Sequence, residues 1–145
     1  MKIYFDTTVL VAGCVAGHPH YNQAVVALRE VHAKKIGAAF TSAHGLAECF
    51  SVLTRTPFIP PIFPNDAWQF LSDNILPAFE IVTLSAKEYQ DAIQYCSQNG
   101  WAGGRVYDVL HLHSAKKAAC ERIYTFNVRH FQQLSPELRD LIASP

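Results

Sequence analysis

The chain has 145 residues, half of them apolar, with twelve basic and twelve acidic side chains. That length fits one domain with a real core, and a formal net charge of zero excludes a polybasic coat, so contact with a polyanion must come from a local patch. No stretch is long and apolar enough to span a bilayer, and neither a fixed repeat nor a Gly/Ser-rich linker divides the chain, which reads as a single domain over 1–145.

Lys2-Ile3-Tyr4-Phe5 is a short β-rich run that stops at Asp6, and Thr7 or Thr8 can cap a helix through Cys14. Val9 to Cys14 resembles a lipoprotein cleavage site, but Asp6 interrupts the apolar region such a signal needs. His20 to Ala33 has helical periodicity, with Ala24, Val25, Leu28, Val31 and His32 on one face. Ala38 to Thr41 is a second strand, and Ser42 caps a helix carrying Leu46, Cys49, Phe50 and Leu53. Pro57, Pro60, Pro61 and Pro64 break the chain before a helix from Asn65 to Leu76. Phe79 to Thr83 reads as a third strand.

Ser85-Ala86-Lys87-Glu88 is a capping box, opening a helix that ends near Asn99-Gly100. Tyr107 to Ala119 is a further helix, Ile123 to Phe126 a fourth strand, and Ser135-Pro136 the start of a last helix. Strands alternating with helices imply an α/β sandwich with a mainly parallel sheet. In such sheets sites form beyond the carboxyl ends of strands, and Asp6 and Asn127 both follow directly on strands. The four cysteines, Cys14, Cys49, Cys96 and Cys120, have no C-x-x-C spacing and read as reduced thiols of a cytoplasmic protein.

Any one acid here reads as a cap or an ion-pair partner. Glu48, however, lies on a helix rich in apolar residues, and Asp108 stands beside Val109, Leu110 and Leu112. Acids in such surroundings are costly unless paired, exposed at a cleft or bound to metal. If Asp6, Glu48 and Asp108 converge, each close pair costs about 4 kcal/mol at ~4 Å in an effective dielectric of ~20. Arg105 and Arg55 are the nearest basic residues in sequence. A divalent cation is the economical counter-charge, and oxygen ligands suit Mg²⁺ or Mn²⁺.

Four blocks then carry a resemblance. Ile3 to Leu10, Ala47-Glu48, Gly103 to Leu110 and Thr125 to Phe131 resemble, in order, the motifs of PIN-domain proteins. The subgroup most similar in appearance is the VapC-like toxins of toxin–antitoxin pairs. The resemblance implies a three-layer α/β/α sandwich, Mg²⁺- or Mn²⁺-dependent cleavage of RNA, a homodimer and a cognate antitoxin. Carried over position by position, Asp6, Glu48 and Asp108 would hold the metal, and Asn127 would stand where many members have a fourth Asp. Thr8 would orient Asp6 or a water. Thr125 would bond a ligand or a metal-bound water. An amide at position 127 brings no charge, which favours one tightly held ion and leaves open a catalytically silent module that binds RNA or protein. A receiver-like or phosphatase-like domain fits poorly with Glu48 and with the Thr-Phe-Asn ending.

Arg105, Lys116, Lys117, Arg122 and Arg129 read as a solvated face or a phosphate-contacting rim, with Arg105 the best RNA contact. His111 and His113 point apart on a helix, so joint metal binding is not expected. His18 and His20, around Pro19, read as loop and cap residues. The apolar segment Thr56 to Pro64 reads as a buried loop or, if exposed, the border of an antitoxin groove or dimer contact.

Overall fold

A computed structural model describes residues 1–145. β1 (Lys2–Phe5) leads into α1 (Thr7–Cys14) and α2 (Tyr21–His32), then β2 (Ala38–Ser42) and α3 (Ala43–Arg55). After the proline-rich segment come α4 (Pro64–Phe70), a π-helical turn (Leu71–Ile75), β3 (Glu80–Val82) and α5 (Ala86–Gln98). The chain closes with α6 (Arg105–Lys117), β4 (Arg122–Tyr124), α7 (Val128–Leu134), a 3₁₀ turn (Pro136–Leu141) and β5 (Ile142–Ala143).

The five strands lie in the order β3-β2-β1-β4-β5, and every pair is parallel. Successive residues of β1 point to opposite faces. Ile3 and Phe5 therefore pack with α1, α2, α3 and α4, whereas Tyr4 packs with α5, α6 and α7. Those two apolar clusters make the three layers. The expected sandwich is what forms, and its sheet is wholly parallel.

Because β2 lies on one side of β1 and β4 on the other, the winding reverses at β1. The crevice beyond its carboxyl end, next to β4, is the switch point where such sheets place their sites.

Several local expectations hold. Ser42 accepts the Gly45 N–H at 2.9 Å, and Ser85 and Glu88 close their capping box at 3.2 and 2.9 Å. Others are corrected. Asp6, rather than Thr7 or Thr8, caps α1, taking the N–H groups of Thr8 and Val9 at 3.0 and 3.3 Å. The last helical turn is 3₁₀, and α7 and β5 precede and follow it unannounced. Val9, Leu10 and Ala12 of α1 are fully buried, so the lipoprotein-like run is a core helix. All four cysteines are free, and no helix is long and apolar enough to cross a membrane.

Candidate functional site

Asp6, Glu48, Asp108 and Asn127 come from four separate segments and line one cleft of about 440 Å³. Thr7, Thr8, Val11, His18, His20, Val52 and Phe126 complete its walls. Asp6 enters from the end of β1, Glu48 from α3, Asp108 from the first turn of α6, and Asn127 from the β4–α7 connection.

Asp6 is buried and accepts only from neutral donors. One carboxylate oxygen takes the Thr8 and Val9 N–H groups and the Thr8 hydroxyl. The other takes the Thr125 hydroxyl at 2.8 Å. The two threonines act as a matched pair. Thr8 Oγ1 also accepts the Phe126 N–H at 3.0 Å, and Thr125 Oγ1 accepts the Asn127 N–H at 2.9 Å. Each hydroxyl thus fastens the β4–α7 connection to the end of β1. Thr125 is fully buried, and its donor is spent on Asp6. Burial pushes the Asp6 carboxyl above its ordinary range, against the His111 charge and the Thr8 and Thr125 hydrogen bonds.

Glu48 is held differently. Burial opposes its charge, but hydrogen bonds from His111 and His44 prevail and hold it well below the usual carboxylate range. His111 Nε2 lies 3.0 Å from one oxygen, and His44 Nε2 lies 3.3 Å from the other. His111 is fully buried, with Nδ1 2.7 Å from the Tyr4 hydroxyl and Nε2 also 3.2 Å from the Thr7 hydroxyl. Burial alone would lower its pKa, yet the Glu48 hydrogen bond and the charges of Asp6, Glu48 and Asp108 raise it. Gly45 makes the space: a Cβ there would sit 3.1 Å from His111 Cε1 and 3.0 Å from Thr41 Oγ1.

Asp108 is partly exposed. One oxygen meets His130 Nε2 at 2.9 Å, and the other has no protein partner. Burial and the nearby Glu48 charge raise its carboxyl pKa, overcoming His111 and His130. The Asn127 side chain is exposed and makes no hydrogen bond within the chain. His20 stacks on Phe126, ring centres 4.3 Å apart, and both line the cleft.

Sequence reasoning missed His44 and His130, and it weighed His111 only as a joint ligand with His113. The available signal was spacing. His44 and Glu48 are four residues apart on α3, and Asp108 and His111 three apart on α6, so each pair shares a face. The two lysines of the basic cluster are turned to other partners. Lys116 pairs with Glu137 and Lys117 with Glu88, eight and nine residues past Asp108, on the order of 12 Å along the helix. Arg105 is exposed on the first turn of α6 and does not line the cleft. In the proline-rich segment, Phe58 and Ile62 pack on the core while Ile59 and Phe63 are exposed. Phe58 and Ile62 also line an apolar groove, with residues 14–19 on its other side.

Known proteins bear on this arrangement. The PIN domain family model matches residues 3–135. The Mycobacterium tuberculosis protein named ribonuclease VapC40 is 33% identical over 117 residues, 80% of each chain. Among solved structures, VapC20 of M. tuberculosis, described as a sarcin-ricin loop cleaving toxin, superposes with a TM-score of 0.72 at 17% identity. That match covers 92% of this chain and 95% of the other. A chain of the VapBC2 complex of Rickettsia felis, bound to promoter DNA, gives 0.67 at 21% identity and covers 99% and 98%. At those identities the two structures speak for the fold. The ordered motifs, the wholly parallel sandwich and the extent of these matches place the chain in the PIN-domain family, with the VapC proteins.

Proposed function

We propose that this chain is a metal-dependent endoribonuclease, the toxin of a toxin–antitoxin pair, acting through the cleft at the β1–β4 switch point. The observation that carries the proposal is the meeting of Asp6, Glu48 and Asp108, from three segments, on one cleft wall system with a free amide at Asn127. Asp6, Glu48 and Asp108 would hold Mg²⁺ or Mn²⁺. The donor chemistry fits, because all three offer oxygen, Asp108 keeps one oxygen without a protein partner, and Asp6 is a buried carboxylate with only neutral donors around it. The three acids do not form a tight ligand cluster, since the set whose ligand atoms all close to within 4.8 Å is His44, Glu48 and His111. That looseness suits an ion that keeps several waters. When bound, the ion supplies Lewis acidity that activates a water and offsets charge on a phosphodiester.

The chain's own groups divide the remaining work. Asp6 is locked in place by Thr8 and Thr125, so its charge is presented without reorganisation. Asn127 offers an amide oxygen or N–H₂ to a water or phosphate. Neither wall hydroxyl is a free nucleophile: that of Thr8 is engaged with Asp6 and that of Thr7 with His111, which supports water as the attacking group. Arg105, one turn before Asp108, is the RNA-contact candidate beyond the cleft. The cognate antitoxin is assigned to the apolar groove between residues 14–19 and 58–62, where Ile59 is 99% exposed. A homodimer is also part of the proposal.

The deciding experiment incubates total RNA with metal-stripped protein, then restores Mg²⁺ or Mn²⁺ and maps new 5′ ends. Cleavage that needs the ion and disappears in Asp6→Asn is the expected result. A second reading rests on Asn127, which makes this site less negative than a four-acid one. It is a binding module without activity, and wild-type protein that retains RNA but leaves it uncut with either ion would establish it.

A further inference from the structure

Three side chains around Glu48 answer to a different ion chemistry from the carboxylates of the cleft. His44 and Glu48 occupy successive turns of α3, and His111 faces them from α6. One nitrogen of each histidine and one oxygen of Glu48 all lie within 4.8 Å of one another. The His44–Glu48 and His111–Glu48 separations are 3.3 and 3.0 Å. In a tetrahedral site with bonds of about 2.0–2.1 Å, neighbouring ligand atoms stand about 3.3 Å apart. The two contacts run to opposite oxygens of Glu48, so an ion that takes one of them meets one short edge and longer ones, all within 4.8 Å.

The rings are also oriented from behind. The Tyr4 hydroxyl sits 2.7 Å from His111 Nδ1, which leaves Nε2 directed at Glu48. His44 is stacked on Tyr107, ring centres 5.1 Å apart and planes 16° apart. Such outer contacts fix ring orientation in metal sites. Two imidazoles and one carboxylate, with a fourth position left to solvent, suit zinc and its borderline neighbours rather than Mg²⁺.

We propose that His44, Glu48 and His111 form a binding site for a zinc-class transition-metal ion, adjoining the carboxylate cleft and sharing Glu48 with it. Binding itself does not depend on the ribonuclease reading. One consequence does rest on that reading: an ion held by the histidines withdraws Glu48 from the Mg²⁺ set, so zinc opposes cleavage.

The test titrates Zn²⁺ into the metal-stripped full chain against a chromophoric chelator, with no RNA present. The wild type is expected to take up one ion. His44→Ala is expected to weaken it by at least about tenfold, the lower end of what even outer-shell changes cost. Asp108→Asn is expected to leave the affinity unchanged. Co²⁺ should give the strong visible absorption of a tetrahedral site, without a thiolate band, in wild type and not in His44→Ala. His44→Gln runs beside it, and circular dichroism establishes that both variants are folded.

Equal affinity in wild type and His44→Ala overturns the proposal. So does a loss in Asp108→Asn as large as that in His44→Ala, which would put the ion among the acids. A loss confined to His20→Ala overturns it too, by moving the ion to the exposed His18–His20 pair. Relief of zinc inhibition in His44→Ala, read on RNA, tests the antagonism separately.

Discussion

On the β1 wall of the cleft, Asp6 is held by two backbone N–H groups and two threonine hydroxyls, and burial pushes its carboxyl upward. On the helical wall, Glu48 has fewer hydrogen bonds, but they come from imidazoles, and its carboxyl is held down. The number of donors does not decide the charge state of a buried carboxylate. At Glu48 two imidazoles bonded directly to the carboxylate outweigh burial, whereas at Asp108 the single His130 contact does not. In the proposed reading Asp6 takes its counter-charge from a bound ion, whereas Glu48 has two imidazoles beside it.

The largest expected effect breaks the first half of that contrast. Asp6→Asn keeps an acceptor for the cap but removes the charge. RNA cleavage should fall on the order of 10²–10³-fold, comparable to losing a preorganised transition-state contact, while the melting temperature at neutral pH does not drop. Retained cleavage would show that Asp6 is a helix cap and no more.

Glu48→Gln should do the reverse to stability. It strips the counter-charge from His111 and should cost about 2 kcal/mol in urea unfolding, below the range for fully buried pairs because the Glu48 side chain is 22% exposed. A neutral result would mean that His111 is uncharged in the fold.

Thr125→Val, nearly isosteric, removes both the donor to Asp6 and the acceptor of the Asn127 N–H. The expected loss is about 1–2 kcal/mol, recovered in Thr125→Ser. Equal stability of the valine and serine variants would remove the hydroxyl from the account.

The smallest effect is in pH. The folded Glu48 value lies below its ordinary 4.5, so its contribution is present above 4.5 and lost as pH falls through the folded value. The folded His111 value lies above its ordinary 6.5, so its contribution is present below 6.5 and lost as pH rises through the folded value. Their joint contribution is therefore fullest between about 4.5 and 6.5. Metal-free protein should melt a few degrees higher near about pH 6 than near about pH 8, and His111→Asn should flatten that difference. Melting that rises toward alkaline pH would contradict the assignment of charge to His111.

How much of this was readable beforehand follows the range of the interactions. Ser42 and the Ser85–Glu88 box are local devices, and the sequence displays both. The strands β1, β2 and β4 announce themselves as β-rich runs before turn or cap residues. By contrast, β5 is two residues long and exists because Ile142 and Ala143 meet Ile123 and Tyr124 of β4. The seven residues of α7 are too few for a periodic pattern to stand out. Asp6, Glu48, Asp108 and Asn127 were visible through ordered motifs and do share a cleft. The partners that set their charge were not: His111 lies 63 residues from Glu48, and His130 lies 22 from Asp108. Arg105 and Arg55 are the basic residues nearest in sequence, whereas the fold supplies His111 to Glu48 from the opposite layer and His130 to Asp108 from the neighbouring helix.

The threonine pair has a consequence for timing. Thr125 reaches Asp6 across 119 residues, and the Phe126 and Asn127 N–H groups are what the two hydroxyls fasten. The Thr8 and Val9 contacts to one Asp6 oxygen are local, but the contact to its other oxygen waits for Thr125 to dock. The cleft thus gains its last wall only when the β4–α7 connection docks, so any activity proposed for it comes late in folding.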